Sequence, residues 1–246
     1  TGLALGLAGA RLLRLPPGKA GVYATCASFT NIGNIGGLVV YVALGEAAFG
    51  LVPFYKLGEE LWYYAVLFPL ARGYGARANP GPAAAAAGPV AGILRVLRDP
   101  FFLVALLSIS LGLGLNAAGL RRPAFYAPLN SVLVPLSSFL MLFAIGMRMR
   151  FAIRREHRAA AALLIAGKAL VVPCVVAALS LALGLGVGGG TTAMKVALAL
   201  SAMPIGFLGL VCASLNRLDV DYANSLWLAS NGALLLIVPV LVAILA

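Results

Sequence analysis

Two asparagines and three glycines stand together in the middle of an apolar run at 21–45. Asn31 and Asn34 flank Gly33, and two more glycines follow. Asparagine carries hydrogen-bonding groups that hydrocarbon cannot satisfy, and glycine loosens a helix. The pattern therefore predicts a helix that breaks at mid-membrane and lines a substrate cavity with its freed backbone. In the alternative interpretation, the glycines serve helix packing and the asparagines cap helix ends.

A second interruption is predicted within the apolar run 191–213, near Met203–Gly206. Ser201 precedes Pro204 there, and proline removes the N–H that a continuing helix needs. The sequence Ile-Gly-Asn-Ile-Gly at 32–36 also resembles Ile-Gly-Phe-Leu-Gly at 205–209. Paired broken segments of opposite direction indicate an inverted-repeat secondary transporter. We therefore expect the two breaks to approach one another at mid-membrane.

The ends of two crossing broken helices would favour an anion, because free N–H groups and the positive end of the helix dipole gather there. A small carboxylate fits such a site without a dedicated arginine. We therefore predict substrate contacts for residues of both breaks, namely Asn31, Gly33, Asn34, Ser201, Pro204 and Gly206. Asn224 and Asn231 share a face of the last span, and they either line the cavity or pair between helices.

Three charged residues inside apolar runs are candidates for coupling or charge compensation. Lys168 lies near mid-depth of the run 159–185, where a bare charge costs several kcal/mol, so it should face the interior near the crossing or an acidic partner. Glu59 and Glu60 follow Lys56 at helical spacing, which predicts an ion cluster on one face. These carboxylates are candidates for a proton or cation relay, and the alternative is a purely structural cluster.

Composition predicts an integral membrane protein. Hydrophobic residues make up 62% of the chain and charged residues 10%, and the mean hydropathy is +1.02. Seven apolar runs reach the roughly 20 residues that cross a bilayer as a helix. They lie at 21–45, 51–71, 100–118, 124–147, 159–185, 191–213 and 222–246, and a shorter apolar segment lies at 1–15. Continuous runs disfavour a barrel.

The net charge of +11 is explained by topology, because most of the 18 basic residues fall in alternate connections between spans, as cytoplasmic loops do. The arginine-rich loop at 148–158 has no nucleic-acid motif, so we expect no nucleic-acid partner. The single histidine, His157, makes a metal site unexpected. No catalytic motif occurs, so we expect neither an enzyme nor a cofactor.

The chain resembles the auxin efflux carrier (PIN-like) permease family, within the bile-acid, arsenite and auxin-type transporter superfamily. Four stretches carry the resemblance: Ala27–Gly36 followed by Gly45-Glu46-Ala47, then Ala202–Gly206, Pro135–Met147 and Ser230–Pro239. The resemblance implies an all-α inverted-repeat transporter with two crossed broken helices and ten helices in two five-helix repeats. This chain would then supply about eight transmembrane segments, beginning at the third. Phe207 departs from the family, which often has a polar residue there.

On that template, residues 1–72 are the C-terminal part of the first repeat, in the transport domain, and 73–99 are a cytoplasmic linker. Residues 100–147 are scaffold helices, and 148–246 are second-repeat transport-domain helices. The expected function is a carrier that moves a small organic anion by an elevator mechanism in a bacterial inner membrane, with a possible homodimer through the scaffold. The alternatives are a sodium-coupled symporter of the bile-acid carrier type and a non-transporting sensor with the same fold.

Overall fold

The computed structural model describes residues 1–80, 100–147, 153–186 and 190–245 of the chain. Helix accounts for 82% of the structure and no strand occurs in the described ranges, which confirms the all-helical prediction. In chain order the α-helices are α1 (Gly2–Leu12), α2 (Pro17–Ser28), α3 (Gly37–Phe49), α4 (Val52–Trp62), α5 (Phe68–Ala78), α6 (Pro100–Ala117), α7 (Tyr126–Gly146), α8 (Arg158–Ala166), α9 (Val172–Ala182), α10 (Gly190–Ser201), α11 (Leu208–Leu215), α12 (Val220–Gly232) and α13 (Leu234–Leu245).

Three π-helical turns adjoin these helices. The first π-turn (Ile32–Gly36) precedes α3, the second (Tyr63–Leu67) joins α4 to α5, and the third (Gly167–Val171) joins α8 to α9. Pro69 and Pro173 lie two residues after the second and third π-turns. A proline has no N–H and its ring displaces the carbonyl four residues earlier, which falls inside the π-turn in both cases. Pro69 and Pro173 therefore widen the helix locally at the second and third π-turns, which contain the buried residues Tyr63 and Lys168.

Length and hydropathy support an α-helical membrane protein. Two stretches of the described residues, Pro17–Phe49 and Arg155–Ala182, are long and apolar enough to cross a bilayer. The helices α12 and α13, bent by 44° at their junction, form a third candidate span if the pair is counted as one. The stretch Pro17–Phe49 qualifies by length although its helix is interrupted between α2 and the first π-turn.

Two apolar clusters lie on opposite sides of the helix interruptions. The first cluster contains Phe29 and Ile205, and the second contains Ile32 and Met203. The chain thus passes from the first cluster to the second at one interruption, and from the second back to the first at the other. The two interrupted segments therefore run in opposite directions between the same two packing regions.

The helices α6 and α7 contact the rest of the protein mainly along α3, α4 and the first π-turn. The Ser138 hydroxyl of α7 donates to the Asn34 carbonyl at 3.1 Å. Glu46 accepts from Asn130 at 2.7 Å and pairs with Arg122. Gly45, at φ 84°, bends α3 just before Glu46, a conformation that other residues rarely adopt. The bend directs this carboxylate toward α7.

The boundary predicted at 72–73 falls inside a helix. The helix α5 continues to Ala78 and packs on α2 and α11, so the first residues of the predicted linker 73–99 are helical. Asn79 then donates to the Arg217 carbonyl at 2.8 Å. Residues 81–99 of this linker lie outside the described residues.

Candidate functional site

Both predicted interruptions are present and they touch. The helix α2 ends at Ser28, and α10 ends at Ser201 before residues 202–207 leave helical geometry. The backbone N–H of Asn31 donates to the Pro204 carbonyl at 2.8 Å, which joins the two interruptions directly. The meeting point of Phe29–Asn31 with 202–207 is called the crossing below.

The first interruption lies slightly earlier than predicted, at Phe29–Asn31 instead of Asn31–Gly36. Residues 32–36 form the first π-turn, in which the Gly36 N–H donates to the Asn31 carbonyl at 2.9 Å. The prediction placed the break at the glycines because they tolerate non-helical backbone. The structure places it where partners from other helices satisfy the freed polar groups.

Two hydroxyl groups satisfy backbone groups at the crossing. The Thr30 N–H donates to the Tyr63 hydroxyl at 2.8 Å, and that hydroxyl donates in turn to Glu59. In the second interruption, the Ile205 N–H donates to the Ser230 hydroxyl at 3.0 Å. Both hydroxyl groups belong to buried residues, so the two interruptions are held without help from solvent.

Gly206 allows the backbones to approach closely. A Cβ added at this position would lie 2.7 Å from the Thr30 carbonyl oxygen and 3.1 Å from the carbonyl carbon. Gly36 is less restricted, since its Cβ would lie 2.9 Å from a Leu200 methyl group, which can shift, and 3.2 Å from the Asn31 carbonyl oxygen. Gly33 is exposed, and a Cβ there would meet only the Lys56 side chain at 3.9 Å. The geometry thus assigns close packing to Gly206 and leaves open space at Gly33.

Lys168 lies at the crossing and is 5% exposed. Its ammonium donates to the carbonyls of Ala27 and Phe29, both at 3.1 Å, and to the Thr30 hydroxyl at 3.3 Å. The first two acceptors belong to the C-terminal end of α2, where a helix leaves carbonyls without partners. The ammonium therefore neutralises the negative end of this helix.

The predicted ion cluster on α4 is confirmed. Lys56 lies 3.2 Å from Glu59 and 2.6 Å from Glu60. The side chain of Glu59 is 7% exposed and also accepts from Tyr63, which connects the cluster to the Thr30 backbone. The carboxylate of Glu59 is thus tied both to a cation and to the crossing.

A cavity of about 450 Å³ opens beside the crossing. Its polar lining includes Thr30, Glu59, Tyr63, Lys168 and Ser201, and aromatic and aliphatic side chains complete much of its wall. A mostly apolar wall with a few convergent polar groups is typical of a small-molecule site. The structure therefore brings three predicted residues, Ser201, Lys168 and Glu59, to one cavity.

The remaining predicted residues lie outside the lining of this cavity. Asn34 is half-buried and its carbonyl binds Ser138. Asn231 lies under the second interruption, where its Nδ2 donates to the carbonyls of Ile205 at 3.2 Å and Trp227 at 2.9 Å. Asn224 is half-buried on α12.

Asn31 carries an unpartnered donor at the crossing. The residue is 4% exposed, and its Nδ2 has no hydrogen-bond partner among the described residues. The Asn231 Oδ1 is likewise buried without a partner in the described part of the chain. Buried amide groups are normally hydrogen-bonded, so these two atoms are positions at which a ligand or water would be stabilised.

Sequence reasoning missed Tyr63, Thr30 and Ser230. Tyr63 and Ser230 each accept from a backbone N–H of a distant segment, and the Thr30 hydroxyl accepts from Lys168. The Tyr63–Thr30 contact spans 33 positions. Pro69 gave a sequence signal for Tyr63, because the second π-turn, which Pro69 imposes, begins at Tyr63. Pro173 gave the same signal for Lys168.

Nothing matches this chain in comparisons with protein-family models, curated proteins and solved structures. The described residues also contain no group of three histidine, cysteine, aspartate or glutamate side chains that could hold a metal ion.

Proposed function

We propose that the protein is a secondary transporter that carries a small organic anion, a carboxylate, across the membrane, with its binding site at the crossing. The observation that carries the proposal is the hydrogen bond from the Asn31 N–H to the Pro204 carbonyl at 2.8 Å. Two helix interruptions that meet inside an apolar helical protein are the arrangement in which secondary transporters bind substrate.

The electrostatics of the crossing favour an anion. The first π-turn begins at Ile32, so the N–H groups of its first residues face the crossing without partners inside the helix. Lys168 adds a positive charge and covers the carbonyls that would repel an anion. The unpartnered Asn31 Nδ2 adds a hydrogen-bond donor. Glu59 is already paired with Lys56, which reduces its repulsion of an anion.

We extend the proposal to an elevator movement. Residues 1–72 and 148–246 would form a transport domain that slides against a scaffold of α6 and α7, within an inverted-repeat fold of about eight transmembrane segments. In the described part of the chain, the side-chain polar contacts to the proposed scaffold come from Asn34 and Glu46, both within 31–49, which supports this division. Few polar contacts must then rearrange when the domain moves.

The proposed setting is a bacterial inner membrane, with a homodimer formed through the scaffold. The side chains of Val104, Leu107 and Phe139 on α6 and α7 are more than half exposed, which suits contact with lipid and with a second copy. A homodimer formed through these apolar side chains should survive extraction in mild detergent.

Binding of small carboxylates to the full-length protein and to Asn31→Leu tests the site. Leucine removes an amide donor that has no protein partner, so we expect carboxylate affinity to fall by roughly 1–3 kcal/mol. Thermal stability should be unchanged or higher, because no protein hydrogen bond is lost with that donor.

Asn116→Leu is the matched control, because Asn116 is exposed on α6. It should leave both affinity and stability unchanged. Undiminished carboxylate affinity in Asn31→Leu would place the site elsewhere.

A further inference from the structure

The Lys168 ammonium is bound by three oxygen atoms, called the cage below. Its three acceptors are the carbonyls of Ala27 and Phe29 and the hydroxyl of Thr30, at 3.1, 3.1 and 3.3 Å. An ammonium group has three N–H donors and no acceptor, so this set uses all of them. The charge is therefore held in place and has no free donor for a substrate.

The same oxygen atoms have the chemistry of a monovalent-cation site. In membrane proteins, backbone carbonyls replace the hydration shell of a monovalent cation, and carbonyls freed at helix breaks coordinate coupling ions. Ala27 and Phe29 supply such carbonyls at the end of α2, and Thr30 adds a hydroxyl oxygen. Glu59 lines the same cavity and contributes a negative charge nearby.

We propose that Lys168 is a tethered cation, whose ammonium occupies a site that would otherwise bind a small free monovalent cation. The inference rests on the proposed carrier function in one respect, since it assigns the occupied site to ion coupling. A carrier whose cation is covalently attached needs no free cation at this position. Its transport should therefore be independent of sodium, in contrast to the symporter alternative.

Tethering has a structural reason. The third π-turn, which Pro173 imposes, contains Lys168 and packs against the region where α2 ends. A free cation at this place would lose its hydration and its translational freedom on each binding event, whereas the lysine is already positioned. The purely structural alternative is that Lys168 only caps α2 and that no cation would replace it.

Thermal unfolding of the purified full-length protein distinguishes the tethered cation from a lysine that only caps α2. Wild type, Lys168→Ala and Lys195→Ala are compared in sodium, ammonium and choline chloride at equal ionic strength. We expect the Tm of wild type to be the same in the three salts. Lys168→Ala should have a lower Tm in choline and should be restored by sodium or ammonium, with a rise that grows with the logarithm of concentration.

Lys195→Ala is the matched control. Among the described residues, this lysine donates to one carbonyl, that of Leu245, at 2.5 Å, so its removal leaves no cage there. Its Tm should respond equally to all three salts. Adding Thr30→Val to Lys168→Ala removes one oxygen of the cage and should raise the cation concentration needed for half restoration at least about fivefold, as loss of one hydrogen-bonding group does.

Two results would overturn the proposal. One is a Lys168→Ala protein whose Tm is equal in choline, sodium and ammonium, and the other is a wild type that sodium stabilises as much as the variant. Lys168→Gln keeps two N–H donors for the carbonyls and should fold in every salt. If Lys168→Ala cannot be recovered folded in sodium or ammonium while Lys168→Gln can, the cage does not bind cations and the proposal is also wrong. The tethered-cation proposal and the proposed carrier function can fail independently. The Tm measurement reports cation binding even if the protein does not transport carboxylates, and carboxylates can be transported even if Tm shows no cation binding.

Discussion

Gly206→Ala tests whether the crossing depends on close approach of two backbones. The added Cβ would lie 2.7 Å from the Thr30 carbonyl oxygen, 3.1 Å from its carbon and 3.5 Å from the Asn31 nitrogen. All three are backbone atoms of the first interruption, and none can rotate away as a flexible side chain would. The substitution must therefore separate the two interruptions and strain the Asn31–Pro204 hydrogen bond.

The expected cost follows from two opposing effects. Overpacking of this kind destabilises by about 1–3 kcal/mol. Replacing glycine by alanine also reduces the entropy of the unfolded chain, which stabilises by about 0.4–1 kcal/mol. The net loss for Gly206→Ala should be on the order of 1–2 kcal/mol, and carboxylate affinity should fall at the same time.

Gly73→Ala is the control for this measurement. Gly73 lies inside α5 and outside the lining of the cavity, and a Cβ there would meet nothing within 4 Å. Alanine in a helix interior is favoured over glycine by about 1 kcal/mol, so the control should be neutral or stabilising. Unfolding in detergent followed by circular dichroism, with carboxylate binding measured on the same samples, compares the two. If Gly206→Ala matches Gly73→Ala in both stability and affinity, the close approach at the crossing is refuted.

Two further substitutions test the hydroxyl groups that support the crossing. Tyr63→Phe leaves the Thr30 N–H without its acceptor and should destabilise the protein by about 1–3 kcal/mol in thermal unfolding. Tyr126→Phe is the control and should change stability little, because the Tyr126 ring is exposed. Equal effects of the two substitutions would contradict the role of the Tyr63 hydroxyl. Ser230→Ala removes the acceptor of the Ile205 N–H and should cost a similar amount in the same assay, and a loss below about 0.5 kcal/mol would show that this hydroxyl is dispensable.

Sequence patterns located the interruptions to within a few residues and predicted that Lys168 faces the interior, near the crossing or an acidic partner. Proline and glycine act on their own backbone, so Pro204 and Gly206 gave a local signal. A charge at mid-depth of an apolar run must face the interior, and Lys168 does. Helical spacing alone predicted the ion cluster of Lys56 with Glu59 and Glu60.

The partners that hold the crossing were not predictable in this way. The bonds of Tyr63 to Thr30 and of Ser230 to Ile205 depend on tertiary approach, and neither residue stands out by type or spacing. The break begins at Phe29 instead of the glycines for the same reason, since distant groups satisfy the freed backbone there. The three acceptors of Lys168 likewise follow from packing of the third π-turn against α2.

Uptake by proteoliposomes containing the full-length protein tests the carrier claim most directly. The account predicts saturable uptake of a radiolabelled small carboxylate that other small carboxylates inhibit, and an uptake rate at subsaturating substrate that falls at least about fivefold in Asn31→Leu, in keeping with the loss of one hydrogen bond. Uptake no faster than in protein-free liposomes, or a preference for cations or neutral solutes over carboxylates, would contradict it.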